Sequence, residues 1–253
     1  MVFEIEISWI VAVFLCSIRL GALLLVTPIL DGFAVPVRIK VFLIMALSVF
    51  LVTCLRLSTG TMPLTVGSLL AAGATELVNG ALLAFGVFTA FGAVAFAGKT
   101  LDIQMGFGVA NVFDPVTRSQ SPLLGSALGT LAVVMFFLTD AHHALMRGVA
   151  YSLTQVPLGG IVANASPESI VRQFGTTFTL GLLFAAPVVF CLFLLEIGLA
   201  VLSRNLPQMN IFVISIPVKI VAGFLALGFL SRHLESVFNK IFGSIFTFWD
   251  MLL

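Results

Sequence analysis

The residues able to do chemistry are few, and most stand in apolar surroundings. Arg19, Glu76, Glu196 and Lys219 interrupt or edge long hydrophobic runs. An ionisable group inside a bilayer costs about 2.5–3.5 kcal/mol on insertion scales, so it turns toward protein or water. Two roles are open to such groups: lining a pore or ion relay, or pairing between helices or subunits. Pairing is the expectation for Arg19 and Glu76, because acidic and basic residues do not recur at relay spacing along any one segment. Asp140-Ala141-His142-His143 offers ligand-type side chains. Neighbouring histidines on a helix point about 100° apart, however, and rarely share an ion. With His233 the only other histidine, no metal is expected, and the group reads as a helix end near the membrane interface. Cys16, Cys54 and Cys191 each lie in an apolar run. They read as small packing residues rather than a disulfide framework or a metal set.

Catalytic motifs do not emerge. Gly106-Phe107-Gly108 lacks the preceding strand and the full glycine spacing of a dinucleotide loop, and no Lys-Ser/Thr pair makes it a P-loop. Neither a G-x-S-x-G elbow nor an H-E-x-x-H pair is present. The chain is therefore expected not to be an enzyme and to need no cofactor. Residues 106–122 are more informative. They interleave Phe107, Val109, Val112 and Phe113 with Asn111, Asp114 and Arg118, and Gly106 and Gly108 allow a tight turn. A solvated connector would not carry so many apolar side chains. Two readings remain: a re-entrant or packed loop, or a plug across a water-filled path.

These residues must be positioned by membrane helices. Of 253 residues, 60% are hydrophobic and 9% charged, with mean hydropathy +1.20. Soluble domains carry about 25% charged residues, and one of this size could not hide so much apolar surface. Lipid or apolar subunits must cover the remainder. Phe occurs 25 times against one Tyr and two Trp, which suits burial better than the wet interface. The net charge of +1 gives no field to attract nucleic acid. Glu4 and Glu6 stand where a signal peptide would carry Lys or Arg.

A span needs about 20 apolar residues. Six segments qualify approximately: residues 8–30, 41–55, 77–98, 119–139, 173–195 and 211–231. Continuous runs of this length favour helices over the alternating strands of a barrel. Turn residues such as Asp31-Gly32, Ser58-Thr59-Gly60, Pro63 and Pro157-Leu158-Gly159-Gly160 separate them. Ser166-Pro167-Glu168 reads as a helix start, with a capping hydroxyl, a proline at the first helical position and an acid near the positive end of the dipole.

Two features resist a simple bundle. No strong terminator appears between residues 167 and 203, and such a helix runs about 55 Å at 1.5 Å per residue, well beyond a core about 30 Å thick. Pro187 is placed to kink it, since its ring takes away the donor for Leu183. Residues 66–98 are similarly overlong. Cytoplasmic loops normally carry the excess Lys and Arg. Here Arg38, Lys40, Lys99, Arg118 and Arg204 fall on one side, and Arg56, Arg147, Arg172, Arg232 and Lys240 balance them on the other. A faint repeat relates Val35-Pro36-Val37-Arg38-Ile39-Lys40 to Ile216-Pro217-Val218-Lys219-Ile220-Val221. Interrupted segments in matching positions mark functional regions in transporters, although chance likeness between apolar strings is the preferred reading of the repeat.

Taken in order, several motifs carry a specific likeness. They are Thr27-Pro28-Ile29, Val35-Pro36-Val37-Arg38-Ile39-Lys40, Gln104-Met105-Gly106-Phe107 through Asp114-Pro115, Leu206-Pro207-Gln208-Met209-Asn210-Ile211-Phe212-Val213, and Pro217-Val218-Lys219. From about Arg19 to the last segment the chain resembles the FliR/SctT family, the R-type subunit of the bacterial flagellar (type III) protein export gate. The resemblance implies an all-α integral membrane protein of long kinked helices and helical hairpins, packed in a heteromeric helical assembly. It implies one copy of this chain with P-type and Q-type subunits, beside further export-apparatus membrane subunits. Together they would form the closed entrance pore for unfolded flagellar proteins. The implied place is the bacterial inner membrane within the flagellar basal body, raised toward the periplasm, which would account for overlong helices and tied charges.

The resemblance further implies one export-gate domain over residues 1–253, P-like to about residue 165 and Q-like from about 166. Its plug loop falls on residues 106–122, with Gly106, Phe107, Gly108, Val109, Asn111, Val112, Phe113, Asp114, Pro115 and Arg118 as its candidate residues. The sequence departs from the family at Asp140-Ala141, where many relatives have Asn-Gly or similar. The equivalent subunit of a virulence injectisome is the near alternative. A secondary transporter would require convergent polar groups near the midplane, and the sequence shows none.

Overall fold

The computed structural model describes residues 7–30, 35–58, 65–107, 122–162, 165–205 and 211–253, with only the backbone of Ile211 and Phe212. Among the described residues all regular structure is helical. The order is α1 (Ile7–Val26), α2 (Val37–Leu55), α3 (Val66–Gln104), α4 (Leu123–Leu138), α5 (Ala141–Gln155), α6 (Pro167–Asn205), α7 (Ile211–Leu230), a 3-10 turn (Ser231–His233) and α8 (Leu234–Leu252). Five helical stretches are long and apolar enough to cross a membrane, and α4 with α5 makes a sixth if that bent pair counts as one span. The chain is an all-α integral membrane protein.

Local chemistry sets most boundaries. Pro36 precedes α2 with φ −57°, and its carbonyl accepts from the Ile39 and Lys40 amides. Arg56 closes the same helix in the left-handed region, φ 49°, returning its N–H to Val52. At the start of α6 the Ser169 amide donates to Ser166 Oγ at 3.2 Å. Glu168 sits in the first turn, where the dipole favours an acid. The overlong helices are real: α3 and α6 have 39 residues each. Their sequences contain no terminator strong enough to stop helix propagation, and Pro187 is accommodated inside α6.

The six-segment reading differs from the structure in two places. The fourth segment ends at Leu138, and the chain turns through Thr139 and Asp140 into α5, with the two axes bent by 72°. Asp140 occupies φ 57°, a conformation that Asp tolerates better than most side chains. After the sixth segment, α8 follows a one-turn 3-10 break. Its buried residues, Phe238, Ile241, Phe242, Ile245, Phe248, Trp249 and Leu252, recur every three or four positions, the mark of a helix with one apolar stripe. A search for 20-residue apolar runs passes over such helices.

Contacts divide the chain into two units. One comprises residues 1–89, 136–173 and 242–253, and the other residues 90–135 and 174–241. In the first, α1 packs on α2 and on the first half of α3. Gly80 is the tight point: a Cβ there would come within 2.5 Å of the Arg19 carbonyl oxygen. Trp249 fills a slot beside Gly86 and Gly148, donating its indole N–H to Leu83 O at 3.1 Å. In the second, the end of α3 meets the start of α4 through Gly98 and Gly125, whose backbones leave no room for a side chain. Small residues permit this closeness in membrane proteins, where dispersion and hydrogen bonding replace the hydrophobic effect between helices.

Candidate functional site

In the first unit the structure brings Arg19 and Glu76 together. Arg19 Nε donates to Glu76 Oε2 at 2.5 Å and Nη2 to Oε1 at 3.0 Å, a two-point fork. The remaining guanidinium hydrogens reach the Ser152 carbonyl from Nη1 and the Val156 carbonyl from Nη2, both at 3.0 Å. The Gly159 amide donates to Glu76 Oε1 at 2.7 Å. One helical turn further along α3, Asn79 donates to Gly160 O at 2.8 Å and accepts from the Val162 amide. Arg19 is 1% exposed and Glu76 0%. The two charges therefore hold the turn after α5 against α1 and α3, and Gly159, with φ 83°, gives that turn its left-handed corner. With every partner engaged, the cluster is suited to bracing rather than to passing ions.

In the second unit a different device closes the root of the 106–122 segment. Asp102, in the last turn of α3, accepts from the Leu124 amide at 2.9 Å and the Gly125 amide at 3.0 Å. A carboxylate at a helix C-terminus is unfavourable to that helix, but here it caps the positive N-terminus of α4. The chain thus leaves α3 and rejoins α4 at one clamped point. Beside the clamp, Met105 lies against Gly223, Gly106 turns at φ 85° next to Ile216, and Phe107 packs edge-on to Phe224 at 6.4 Å between centroids. Gly108, Val109, Asn111, Val112, Phe113, Asp114, Pro115 and Arg118 lie outside the described residues.

The other expected charges meet as well. Lys219 of α7 donates to Glu196 of α6, with side chains 20% and 40% exposed. Pro187 lies about two and a half turns before Glu196 along α6, at a groove shared with α7. Asp140, His142 and His143 gather at the start of α5 with ligand atoms within 4.8 Å of one another. The spacing argument separates the two imidazoles. At the first turn they instead lie 4.0 Å apart between centroids, with His142 tilted against Phe137 at 5.2 Å. Asp140 Oδ1 is engaged with His143 Nδ1 at 3.3 Å. Cys16 is buried, while Cys54 and Cys191 are exposed.

Sequence reasoning missed Asp102, Asn79 and Ser152. For Asp102 a signal existed, since an acid closing a long helix opposes the dipole unless another helix needs it. Asn79 had a weaker signal, as a buried amide in an apolar run must find partners.

Comparison with known proteins places this architecture. A family model described as "Bacterial export proteins, family 1" matches residues 10–245. The chain is similar to the flagellar biosynthetic protein FliR of Bacillus subtilis (strain 168), 36% identical over 156 residues and 60% of each chain. It is similar to the protein of the same name in Escherichia coli (strain K12), 28% identical over 241 residues, covering 95% of this chain and 92% of that one. It also resembles the Yop proteins translocation protein T of Yersinia pestis, 29% identical over 147 residues, 57% of this chain and 56% of that one. With the family match running through nearly all of its helices, this chain belongs to the bacterial export proteins of family 1.

Proposed function

We propose that this chain is the R-type core subunit of a flagellar type III export gate. One copy joins P-type and Q-type subunits and further export-apparatus membrane subunits in the inner membrane, within the flagellar basal body. Together they form the closed pore through which unfolded flagellar proteins leave the cytoplasm, and the flagellum requires it. The observation that carries this reading is the near full-length similarity to proteins named for flagellar biosynthesis. The exposed apolar faces support it too: α2 and α6 leave most of their apolar surface uncovered within the chain, so partners or lipid must cover it. The P-like part ends near residue 165 and the Q-like part begins with α6. Pro187 bends α6 to follow the helical assembly, which is raised toward the periplasm.

In this gate residues 106–122 are the plug. The Asp102 clamp supports the assignment, because a loop tied at its root projects as one unit without loosening the helices that carry it. Apolar side chains in such a loop exclude water and block ions by dewetting. Asp114 and Arg118 form a latch contributing about 0.2–1 kcal/mol, weak enough for an arriving substrate to displace. Deleting residues 109–119 tests the assignment. The expected result is a complex that assembles while the membrane leaks small ions. Wild-type permeability in a normally assembled complex overturns it. The complex itself is tested by its mass in mild detergent, which must correspond to a large heteromer holding one copy of this chain; a stable monomer sinks the reading.

The equivalent subunit of a virulence injectisome is the second reading, favoured by the similarity to the Yersinia pestis translocation protein. Loss of flagellar filaments on deletion, without loss of any other secretion, separates the two.

A further inference from the structure

A groove of about 640 Å³ lies between α6 and α7, lined by Pro187, Cys191, Ala222, Leu225, Ala226 and Phe229. Its walls are almost wholly hydrocarbon, and His233 stands at one end. His233 also lines a second, polar hollow of about 520 Å³, together with Arg232, Glu235, Ser236, Asn239 and Lys240. The two hollows therefore meet at the 3-10 turn Ser231–His233, where the apolar α7 gives way to the polar first turn of α8. Against the one carboxylate of Glu235 stand the cations of Arg232 and Lys240. Neither cation has an ion-pair partner among the described residues, whereas Lys219 of α7 is spent on Glu196.

We propose that these paired hollows bind one anionic phospholipid, with an acyl chain in the α6–α7 groove and the phosphate against Arg232 and Lys240. The charges distinguish this occupant. A dry helix from a partner would fill the groove but would leave the excess positive charge beside it uncompensated, while a zwitterionic lipid brings its own cation against it. Basic pockets next to transmembrane helices recognise anionic head groups in this manner, and the apolar groove supplies the chain-binding part that a surface patch of lysines lacks. Pro187 stands in the groove wall, where its ring adds apolar surface. The site does not depend on the export-gate reading, because it uses residues of this chain alone.

The full chain, purified with whatever subunits accompany it, is placed in nanodiscs containing phosphatidylglycerol that carries a photoactivatable diazirine in one acyl chain. A parallel preparation uses the same probe on phosphatidylcholine. After illumination, adducts are mapped by peptide mass spectrometry. The expected result is labelling around Cys191 and Leu225 to Phe229 that is at least fivefold stronger with phosphatidylglycerol. The paired variant Arg232→Gln with Lys240→Gln, at exposed positions where folding is not at stake, should bring the two lipids to parity. Ala226→Phe should abolish labelling with both by filling the groove. Equal labelling by the two lipids in the wild type overturns the head-group assignment. Absence of lipid adducts from the groove overturns the site.

Discussion

Two acid–base pairs of the same chemical type hold different parts of this molecule, and they are built differently. Arg19–Glu76 is sealed, with side chains 1% and 0% exposed, and carries along the Ser152 carbonyl in the last turn of α5 and the Val156 carbonyl and Gly159 amide just after it. Glu196–Lys219 is 40% and 20% exposed and joins only α6 to α7. The difference lies in what each would leave behind. Removing one partner of the first pair strands a charge and several backbone groups away from water, whereas either member of the second can turn outward. In an apolar protein the value of an ion pair is therefore set by its escape routes. The sealed pair fixes a local fold, and the open pair leaves room for adjustment where α6 and α7 meet.

This contrast is open to direct attack. Glu76→Gln keeps the shape but leaves the Arg19 guanidinium buried without a counter-charge. Breaking a buried pair in this way costs about 3–5 kcal/mol. The expected outcome is at least a tenfold drop of the chain in membranes, read by immunoblotting after expression with its neighbours. A wild-type level would mean that the backbone carbonyls of Ser152 and Val156 suffice to hold Arg19. Replacing both partners by Met and Leu should recover only part of the loss, because the Gly159 amide and those two carbonyls would then lack their partners.

A smaller effect is expected from Gly148→Ala, which asks whether the tightness of the first unit extends to its aromatic core. The new methyl would collide with the Trp249 ring, and overpacking of this kind costs about 1–3 kcal/mol. A lower midpoint in detergent unfolding, with a changed Trp fluorescence spectrum, is the expected reading. An unchanged midpoint would show that the indole can slide in its slot. Asp102→Ala comes next. Losing a helix N-cap costs about 0.5–2 kcal/mol, and the root of the 106–122 segment is released together with α4. Protease cleavage within that segment should speed up while the rest of the chain stays resistant; equal cleavage would argue against the clamp. The smallest effect belongs to Lys219→Ala, where a part-exposed pair contributes about 0.2–1 kcal/mol. Its membrane level should stay within twofold of wild type. A collapse comparable to Glu76→Gln would erase the distinction between the two pairs.

Much of the architecture could be read in the residues themselves. The absence of terminators in residues 66–98 and 167–203 foretold helices too long for a bilayer, and α3 and α6 run slightly further still. Ser166-Pro167-Glu168 announced the start of α6, because capping depends on neighbours within one turn. What escaped was of another kind. The α5 and α8 helices carry enough polar residues to fall below any bilayer-length test. The role of α8 is visible only through the three-to-four spacing of its aromatic stripe, which a search for unbroken apolar runs ignores.

For the charged residues the division is sharper. Composition alone dictated that Arg19, Glu76, Glu196 and Lys219 must find partners, since an isolated charge in hydrocarbon is too costly to keep. It could not say which acid meets which base, because Arg19 and Glu76 are 57 positions apart and either base could have served either acid. Nor could it reveal that Asp102 crosses to α4, or that an apolar groove and a hollow lined by Arg232 and Lys240 meet at the Ser231–His233 turn. Hydropathy and capping act through chain neighbours, so they are written locally. Pairing and cavity shape depend on which helices lie side by side, and only the packed structure decides that.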